Sequence, residues 1–318
     1  MRFHFLKDKT ITDLSNYGVR EAIIDGFLLE KSINILFGPA GLGKTWLLFA
    51  ISKYCTKKGY DVVYLDSDNG VDTVKDRKYD LHIQQMGSKM HYINGDMLDS
   101  RADMEQILVD IEANSVLGYE KTVFILDSLQ FFLNNDVYSE AKIDKITAFA
   151  KKIRRAGGTV IFINHSTKDK KAMKGGGSLI NSLDEVYEIS KNHDEDGVLQ
   201  FILTPSKYRM NVKKSAFVVN TEMLSLECID VELATITEAT QNFIDLVLEN
   251  LKNENLSQNR LLEQMGFNKA DKSKINLLNC YVGKFWNCYT GANRAKIYEA
   301  IPTTQETQEN GGVNNVVS

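Results

Sequence analysis

The amino-acid sequence predicts an α/β fold in which a mainly parallel sheet is followed by a smaller, helical domain. Short apolar runs rich in Val, Ile and Phe alternate with segments of helical period from Ile33 to about Ile229, as in strands joined by crossover helices. A glycine-rich turn follows the first of these runs. From Glu238 the apolar residues recur at helical spacing, so we place a domain boundary near Thr235.

Composition limits the class of protein. The chain has 318 residues, of which 43% are hydrophobic, and this is ample for one large domain with a small appendage. No apolar run approaches the roughly 20 residues that cross a bilayer, so we expect no membrane contact, no signal peptide and a cytoplasmic location. A net charge of -4 argues against a chain that coats nucleic acid over its whole surface, although it allows local basic patches.

The elements of the first part follow from local patterns. Residues 33–37 form an apolar run that enters the glycine-rich turn, and 46–54 have the spacing of a helix leaving it. Ser100 is a typical helix N-cap. Gly157 suits the end of a helix that begins near Ser139, because glycine adopts positive φ at low cost. Further strands are predicted at 61–65, 122–126 and 159–164, and an antiparallel extension at 198–229.

The second part is predicted to be helical and to end in a disordered tail. The apolar residues from 243 to 251 recur at helical spacing, and Ser257 opens a short helix that ends at Gly266. The last stretch is rich in Gln, Asn, Thr and Gly, which is typical of disorder. The predicted organisation is therefore a lead-in segment at 1–32, an α/β core at 33–235, a small domain at 236–302 and a tail at 303–318.

One motif carries most of the functional information. Residues 38–45 match G-x-x-x-x-G-K-S/T, in which glycines let backbone N–H groups wrap a phosphate at the positive end of the following helix. Lys44 would neutralise the β and γ phosphates of ATP, and Thr45 would ligate magnesium. The alternative, a structural glycine turn, is disfavoured by the strand before the motif and the helix after it. The predicted nucleotide contacts are Gly38, Pro39, Ala40, Gly41, Leu42, Gly43, Lys44 and Thr45.

A carboxylate is also needed to hold the magnesium ion. Residues 123–127 form an apolar strand that ends in Asp127, and such phosphate-binding loops are served by a carboxylate at the end of a neighbouring strand. The alternative is an Asp that caps a helix. The position of Asp127 downstream of the glycine-rich loop favours its role as a magnesium ligand. ATP and magnesium are therefore the expected cofactors.

With these residues the chain resembles the RecA-like P-loop ATPases, and most closely the DnaB-like and plasmid RepA-like hexameric replicative helicases, over about residues 17–229. Residues 126–130, Leu-Asp-Ser-Leu-Gln, are similar to the second nucleotide motif of that group. Residues 161–165 are similar to the strand that ends in a γ-phosphate-sensing Gln or His, and 177–189 follow the family's G-S-x-x-I pattern. The resemblance implies a RecA-like core with a mainly parallel sheet.

The resemblance also implies two residues that act at the γ-phosphate. In this family a Glu at the end of the strand after the P-loop helix polarises the attacking water, and Asp68 occupies that place. Asp is one methylene shorter than Glu, which leaves three alternatives: the attacking water lies closer to the strand, Asp66 rather than Asp68 polarises the water, or hydrolysis is slow. Two solvated carboxylates are the alternative. His165 matches the γ-phosphate sensor, against a histidine that makes only a local hydrogen bond.

A lysine-rich segment follows this strand and leads into three glycines. RecA-like proteins place a DNA-contacting loop there, which implies sequence-independent and salt-sensitive contact with the phosphates of single-stranded DNA. A solvated charge run is the alternative. The predicted DNA contacts are Lys168, Lys170, Lys171 and Lys174.

Lys207 and Arg209 lie at the end of a predicted strand, so at period two their side chains point the same way. The DnaB-like family has a matching Lys-x-Arg, which reaches the γ-phosphate held by the neighbouring subunit. The resemblance therefore implies a homo-oligomer, a hexamer in this family, whose active sites form between subunits.

The C-terminal segment is predicted to be a winged helix-turn-helix domain. Three helical segments precede a possible hairpin formed by residues 284–289, a turn at 290–293 and residues 294–298. From Leu251 to Ala300 eight cations outnumber four anions, a sign that suits contact with phosphates. Winged domains also dock proteins, so both DNA contact and protein docking stay open.

Taken together, the sequence predicts an ATP-driven DNA helicase or translocase of a phage- or plasmid-type replicon, working as a ring on single-stranded DNA. Replication proteins such as a primase, a polymerase or a loader are the expected partners. One alternative is a RecA-like ATPase that forms filaments or regulatory rings without unwinding. The other is a nucleotide-gated DNA-binding switch, in which Asp68 has lost useful catalysis.

Overall fold

The computed structural model describes residues 18–167, 173–175 and 177–301. The chain divides after Thr235 into two compact units. The predicted tail and three of the predicted DNA contacts, Lys168, Lys170 and Lys171, lie outside the described residues. Within the described part, no helix is both long and apolar enough to cross a membrane.

The first unit alternates strands with helices along the chain. Its strands are β1 (Ala22–Ile24), β2 (Leu28–Leu29), β3 (Ile33–Gly38), β4 (Asp61–Asp66), β5 (Met90–Asn94), β6 (Thr122–Asp127), β7 (Thr159–His165), β8 (Glu185–Glu195), β9 (Val198–Lys207), β10 (Ser215–Asn220) and β11 (Ser225–Ile229). Its helices are α1 (Lys44–Lys57), α2 (Val71–Asp76), α3 (Tyr79–Met86), α4 (Arg101–Asn114), α5 (Leu129–Phe132), α6 (Glu140–Arg155), α7 (Gly177–Ser182) and α8 (Val231–Ala234).

Nine of the described strands form one sheet in the order β11-β10-β9-β8-β3-β7-β6-β4-β5. The strands from β8 through β3 and β7 to β5 pair in parallel, whereas β9, β10 and β11 continue the sheet antiparallel. The predicted mainly parallel α/β sheet and its antiparallel extension are therefore confirmed. The carboxyl ends of β3, β4, β6 and β7 meet at one edge, where ligands bind in open α/β sheets.

Apolar side chains cover both faces of this sheet. In β3, Leu36 packs in one cluster with α1, and its neighbours Ile35 and Phe37 pack in a second cluster with α6. The buried apolar residues of α6 recur every three or four positions, as the helical period requires. Gly157, at φ +97°, ends the turn after α6, as predicted. Each fully buried Leu, Ile or Phe contributes about 1.5–3 kcal/mol.

The α/β core begins before Ile33, where the sequence placed its start. β1 and β2 form a short antiparallel pair, and Phe27 between them is fully buried. Its ring lies 5.0 Å from that of Tyr187 and 5.5 Å from that of Phe217, and the Tyr187 hydroxyl donates to the Phe27 carbonyl at 2.7 Å. The predicted lead-in at 1–32 thus includes a hairpin that closes one end of the core.

The second unit has its own core and its own sheet. Its buried residues include Trp286 and Tyr298, each fully enclosed, and the Trp286 indole donates to the Leu278 carbonyl at 2.9 Å. Ser257 and Asp271 cap two of its helices through their side chains. The elements are α9 (Glu238–Leu251), β12 (Leu256–Ser257), α10 (Gln258–Gln264), α11 (Lys272–Cys280), β13 (Trp286–Thr290) and β14 (Lys296–Ala300), with sheet order β12-β14-β13.

Candidate active site

The glycine-rich loop connects β3 to α1 at the edge where the parallel strands end. Gly41 and Gly43 have φ of +74° and +92°, a region that side chains other than glycine rarely adopt. A Cβ on Gly38 would lie 2.9 Å from the Leu42 side chain and 3.0 Å from the Ile189 carbonyl oxygen. These glycines therefore let the backbone curl tightly, and its N–H groups can approach a phosphate.

Lys44 lies over this loop. Its Nζ donates to the carbonyl oxygens of Gly38 at 3.2 Å and Pro39 at 2.8 Å, and only 8% of the residue is exposed. Burial lowers the pKa of Lys44, and the nearby Asp127 and Asp68 oppose this shift. A bound phosphate, like these carboxylates, would raise the pKa of Lys44 and so favour its charged form.

Asp127 ends β6 and is almost fully buried. Its Oδ2 accepts a hydrogen bond from the Tyr64 hydroxyl at 2.8 Å. Burial raises the pKa of Asp127 to about 7, Asp66 adds to the shift, and the Tyr64 hydrogen bond opposes it. The carboxylate therefore lacks sufficient compensating positive charge from the protein, and a divalent cation would supply it.

Thr45 and Asp127 both line the cavity beside the loop. A hydroxyl and a carboxylate oxygen are hard ligands that suit magnesium, which retains several waters and takes the remaining oxygens from phosphates. Across the described ranges, no group of three or more His, Cys, Asp or Glu gathers as a complete protein cage. The residues present thus fit magnesium bound together with a nucleotide.

Asp66 and Asp68 occupy different environments. Asp66 is fully buried, and its Oδ1 accepts the N–H groups of Asp68 and Asn69, each at 3.0 Å. Its Oδ2 accepts the Tyr92 hydroxyl at 2.7 Å. By contrast, the Asp68 side chain is 50% exposed and lines the cavity.

His165 ends β7, directly opposite Gly38 in the register of β3 with β7. Its Nε2 lies 4.0 Å from Asp68 Oδ2, and its buried Nδ1 has no hydrogen-bond partner among the described residues. Burial, followed by Lys44, lowers the pKa of His165, while Asp68 opposes the shift. The ring is therefore neutral at pH 7, with one N–H that can donate.

The described residues on either side of the lysine-rich segment are tied to the same strand. Ser166 pairs with Met173 in an isolated antiparallel bridge, and the Lys174 N–H donates to the His165 carbonyl at 3.0 Å. The Asn164 side chain donates to the Lys174 carbonyl at 2.6 Å. Of the four predicted DNA contacts, Lys174 is thus described and lies at the catalytic edge.

Several cavity residues were missed by the sequence reasoning. The cavity has a volume of about 420 Å³ and is also lined by Arg77, after α2, and by Lys191 and Asp194, which form an ion pair in β8. Thr221 lines it from the turn after β10. Nothing in the local sequence distinguishes these residues: the pairing of β8, β9 and β10 brings Lys191, Asp194 and Thr221 beside the loop, and Arg77 reaches it from the end of α2.

Lys207 and Arg209 lie away from this cavity. β9 ends at Lys207, so Arg209 lies in a bend beyond the strand, and the assumption that both residues alternate within a strand was wrong. Both cations nevertheless face one segment. Lys207 Nζ donates to the carbonyls of Ile180 and, at 2.9 Å, Leu183, and Arg209 Nη2 donates to the Asn181 carbonyl at 2.7 Å.

These cations adjoin a buried cluster of charges. Both Asp184 carboxylate oxygens accept from Arg154 Nη1 at 2.8 Å, with Arg209 Nη1 at 3.5 Å and Arg20 Nη1 at 3.8 Å. Glu185 is 1% exposed, and its carboxylate oxygens have no hydrogen-bond partner among the described residues. Burial and, to a smaller extent, Asp184 raise the pKa of Glu185 to about 7, and the three arginines oppose this shift.

A family model described as an AAA domain matches residues 2–171, more than half of the chain. The chain belongs to this family. Membership, together with the glycine-rich loop and the parallel sheet, confirms the predicted RecA-like P-loop ATPase core. Membership of this family supports nucleotide binding and ATP hydrolysis by the chain.

Individual relatives match more distantly. The chain is similar to the DNA repair protein RadA of Bacillus subtilis (strain 168), at 25% identity over 152 residues that make up 46% of this chain and 30% of RadA. The chain thus spans less than a third of that relative. Among solved structures it is similar to the flagellar accessory protein FlaH from Methanocaldococcus jannaschii, at 19% identity and a TM-score of 0.44, covering 63% of this chain and 90% of FlaH.

Proposed function

We propose that this AAA domain protein is an ATP-driven DNA helicase or translocase of a phage- or plasmid-type replicon, working as a hexameric ring on single-stranded DNA. The location of Lys207 and Arg209 is the observation that carries the proposal. Lys207 pairs with Val186 near the start of β8, and β8 starts beside Asn34 of β3. The phosphate loop follows the other end of β3, four residues and roughly 13 Å further on.

A cation pair at that edge cannot serve the nucleotide of its own chain. The pair could instead contact the nucleotide of a neighbouring subunit whose phosphate loop faces it. A ring of identical subunits provides such a neighbour for every subunit. Arg209 and Lys207 would then stabilise the charge that develops on the neighbour's phosphate during transfer. Ring formation thus completes each active site.

Within one chain, the remaining groups divide the work of hydrolysis. Lys44 would neutralise the phosphates, while Thr45 and Asp127 would hold magnesium, which would supply Lewis-acid charge to the phosphate oxygens. Asp68, exposed in the cavity, orients the attacking water and accepts its proton. Neutral His165 donates its N–H to the γ-phosphate, and its proximity to Asp68 lets it sense the reacting group.

Asp68 is favoured over Asp66 as the catalytic carboxylate by its contacts. Asp66 already accepts two backbone N–H groups and one hydroxyl, so its oxygens are committed to holding the turn after β4. Asp68 is accessible and faces the phosphate loop. The shorter Asp68 side chain also supports a second candidate function, a nucleotide-gated DNA-binding switch with slow hydrolysis.

The ring is tested by mixing two inactive proteins. The Arg209→Ala protein keeps an intact phosphate loop, and the Lys44→Ala protein keeps Arg209. An interface between one subunit of each kind can therefore contain every catalytic group. We expect each homomer to lose about a thousandfold in turnover and the mixture to regain activity. A mixture that stays inactive, with mixed assembly verified, would show that Arg209 does not act across an interface.

Strand displacement tests the motor. A forked DNA substrate should be unwound with ATP, and ATP hydrolysis without displacement would leave a RecA-like ring or filament that does not unwind. Nucleotide-dependent DNA binding without measurable turnover would identify the switch. RadA, one relative of this chain, is a DNA repair protein, and this supports action on DNA in general.

The C-terminal unit is assigned to the winged helix-turn-helix class. Its described elements follow in the order helix, strand, helix, helix, strand, strand, and β14 lies between β12 and β13. In such domains the second helix of the helix-turn-helix recognises the partner, and here that helix is α11. The unit would bring the motor either to DNA or to a replication protein.

A further inference from the structure

Tyr64 contacts the candidate magnesium ligand from the neighbouring strand. It lies in β4 opposite Ile125 of β6, two residues before both strands end. Its hydroxyl donates to Asp127 Oδ2 at 2.8 Å, whereas Asp127 Oδ1 accepts no hydrogen bond from the described part of the chain. One carboxylate oxygen is thus occupied by the protein, and the other is left for a ligand.

Aromatic packing fixes the direction of this hydroxyl. The ring of Tyr64 is fully buried, and its centroid lies 5.1 Å from that of Phe49 and 5.5 Å from that of Tyr92. Phe49 belongs to α1, the helix that begins at the phosphate loop, and it stacks on Tyr79 at 4.0 Å. A ring enclosed in this way has few rotamers open to it, so the donor stays directed at Asp127.

The hydroxyl of Tyr64 acts only through that carboxylate. Tyr64 itself does not line the cavity beside the phosphate loop, whereas Asp127 does. A nucleotide in the cavity therefore meets Asp127 and not the tyrosine. Tyr64 is in this sense a positioning residue, comparable to the outer hydrogen-bond partners that orient metal ligands in other proteins.

We infer that Tyr64 selects the metal ion, because its hydrogen bond to Oδ2 leaves Asp127 one oxygen to offer. Magnesium takes single oxygens in a strict octahedron and keeps several waters, whereas calcium gathers more oxygens and accepts carboxylates through both of theirs. A carboxylate with one oxygen available therefore favours magnesium over calcium. The inference rests on the role of Asp127 in the proposed function, and it adds a determinant of metal specificity to that role.

The experiment compares the full-length parent with Tyr64→Phe, which keeps the ring and removes the hydroxyl. Affinity for the fluorescent nucleotide mant-ADP is measured in EDTA, in Mg²⁺ and in Ca²⁺, and the ratio to the EDTA value is the gain from each ion. The magnesium gain should fall about tenfold, because the carboxylate loses its orientation. The calcium gain should not fall, and affinity in EDTA should match that of the parent.

Two matched variants each lose one hydrogen bond from a tyrosine hydroxyl to a carboxylate. Tyr92→Phe removes the bond to Asp66 Oδ2 at 2.7 Å within the same aromatic cluster. Tyr60→Phe removes the bond to Glu30 Oε1 at 2.6 Å, just before the start of β4. Both should keep the parent's preference for magnesium over calcium. Thermal melting should show a comparable loss of stability in all three variants.

A double-mutant cycle tests whether Tyr64 acts through Asp127. Asp127→Asn should lose most of the magnesium gain, and adding Tyr64→Phe to it should change that gain no further. A further loss in the double variant would show that Tyr64 affects the site by another route and would overturn the inference.

The inference is also overturned if Tyr64→Phe keeps the parent's magnesium gain, if it lowers both gains equally, or if either matched variant shows the same change. The proposed function fails in a different way. A parent-like magnesium gain in Asp127→Asn would remove Asp127 as the ligand, whereas loss of the gain in Asp127→Asn but not in Tyr64→Phe would leave the ligand in place and overturn only the role of Tyr64.

Discussion

The two edges of the central sheet hold their buried charges in different ways. At the edge with the phosphate loop, Asp127 is buried and forms no salt bridge among the described residues, and burial and the nearby Asp66 raise its pKa to about 7. At the opposite edge, Asp184 is surrounded by arginines. The buried carboxylate at the first edge thus has no ion-pair partner among the described residues, whereas the buried Asp184 at the second edge is shared by three arginines.

This contrast is the one expected if, as proposed, each subunit completes the active site of its neighbour. The first edge carries the phosphate loop, and the second edge holds Lys207 and Arg209 on carbonyl groups of α7 and the loop after it. Carbonyl groups hold Lys207, and Arg209 shares the Asp184 carboxylate with Arg20 and Arg154, so the cations at this edge outnumber that carboxylate and a phosphate could bind them. The following predictions test each edge in turn.

The largest effect is expected at the phosphate loop. Lys44→Ala and Asp127→Ala should each reduce ATP turnover at least about a thousandfold, because the phosphates and the magnesium ion lose their partners. Steady-state ATPase assays measure this. Lys57→Ala, which removes an exposed cation from the last turn of the same helix, is the control, and turnover near the parent value in Lys44→Ala would contradict the site.

A smaller effect separates the two carboxylates after β4. Asp68→Asn should lower kcat about a hundredfold while nucleotide binding persists, because this group acts on the water. Asp66→Asn should instead reduce the free energy of unfolding by about 2 kcal/mol, since one of its accepting oxygens becomes a donor. ATPase kinetics and thermal melting of both variants decide the roles, and reversed outcomes would assign catalysis to Asp66.

The opposite edge is tested by pH. The folded pKa of Glu185, about 7, lies above its ordinary 4.5, so its stabilising contribution is complete below pH 4.5 and is lost as the pH rises through 7. Glu185→Gln removes this loss and should be more stable than the parent at pH 8 by up to about 3 kcal/mol. Denaturant unfolding at pH 5 and pH 8 measures it.

Glu188→Gln is the matched control for this pH experiment. Glu188 lies on the same strand with its side chain exposed. Its replacement should leave the pH profile of unfolding unchanged. Equal pH profiles of unfolding in the parent and in Glu185→Gln would show that Glu185 ionises at its ordinary pKa because the arginines offset the effect of burial.

The smallest effect concerns the lysine-rich loop. Replacing Lys168, Lys170, Lys171 and Lys174 with Ala should weaken binding of single-stranded DNA and flatten its salt dependence. It should also reduce DNA stimulation of the ATPase. Titration at several salt concentrations measures this, with Lys145→Ala and Lys151→Ala on α6 as controls. Unchanged slopes would make the segment an ordinary solvated surface.

The sequence predicted those parts of the site that depend on local order. A strand, a glycine turn and a helix are adjacent in the chain, so the pattern of 38–45 identifies the loop, and the apolar run before Asp127 identifies the neighbouring strand. Lys191 and Asp194 line the cavity only because distant strands pair, Arg77 lines it from the end of α2, and no local signal marks any of the three. The strand β5 was missed because its short edge position needs few apolar residues.

The bridge between Ser166 and Met173 has a mechanical consequence. It closes the base of the lysine-rich segment on the end of β7, one residue from His165. The backbone of His165 is thus held on two sides, by the pairing of β7 with β3 and by the N–H group of Lys174. A displacement of the Lys174 backbone would therefore act directly on the backbone of His165, the residue whose ring lines the cavity beside the phosphate loop.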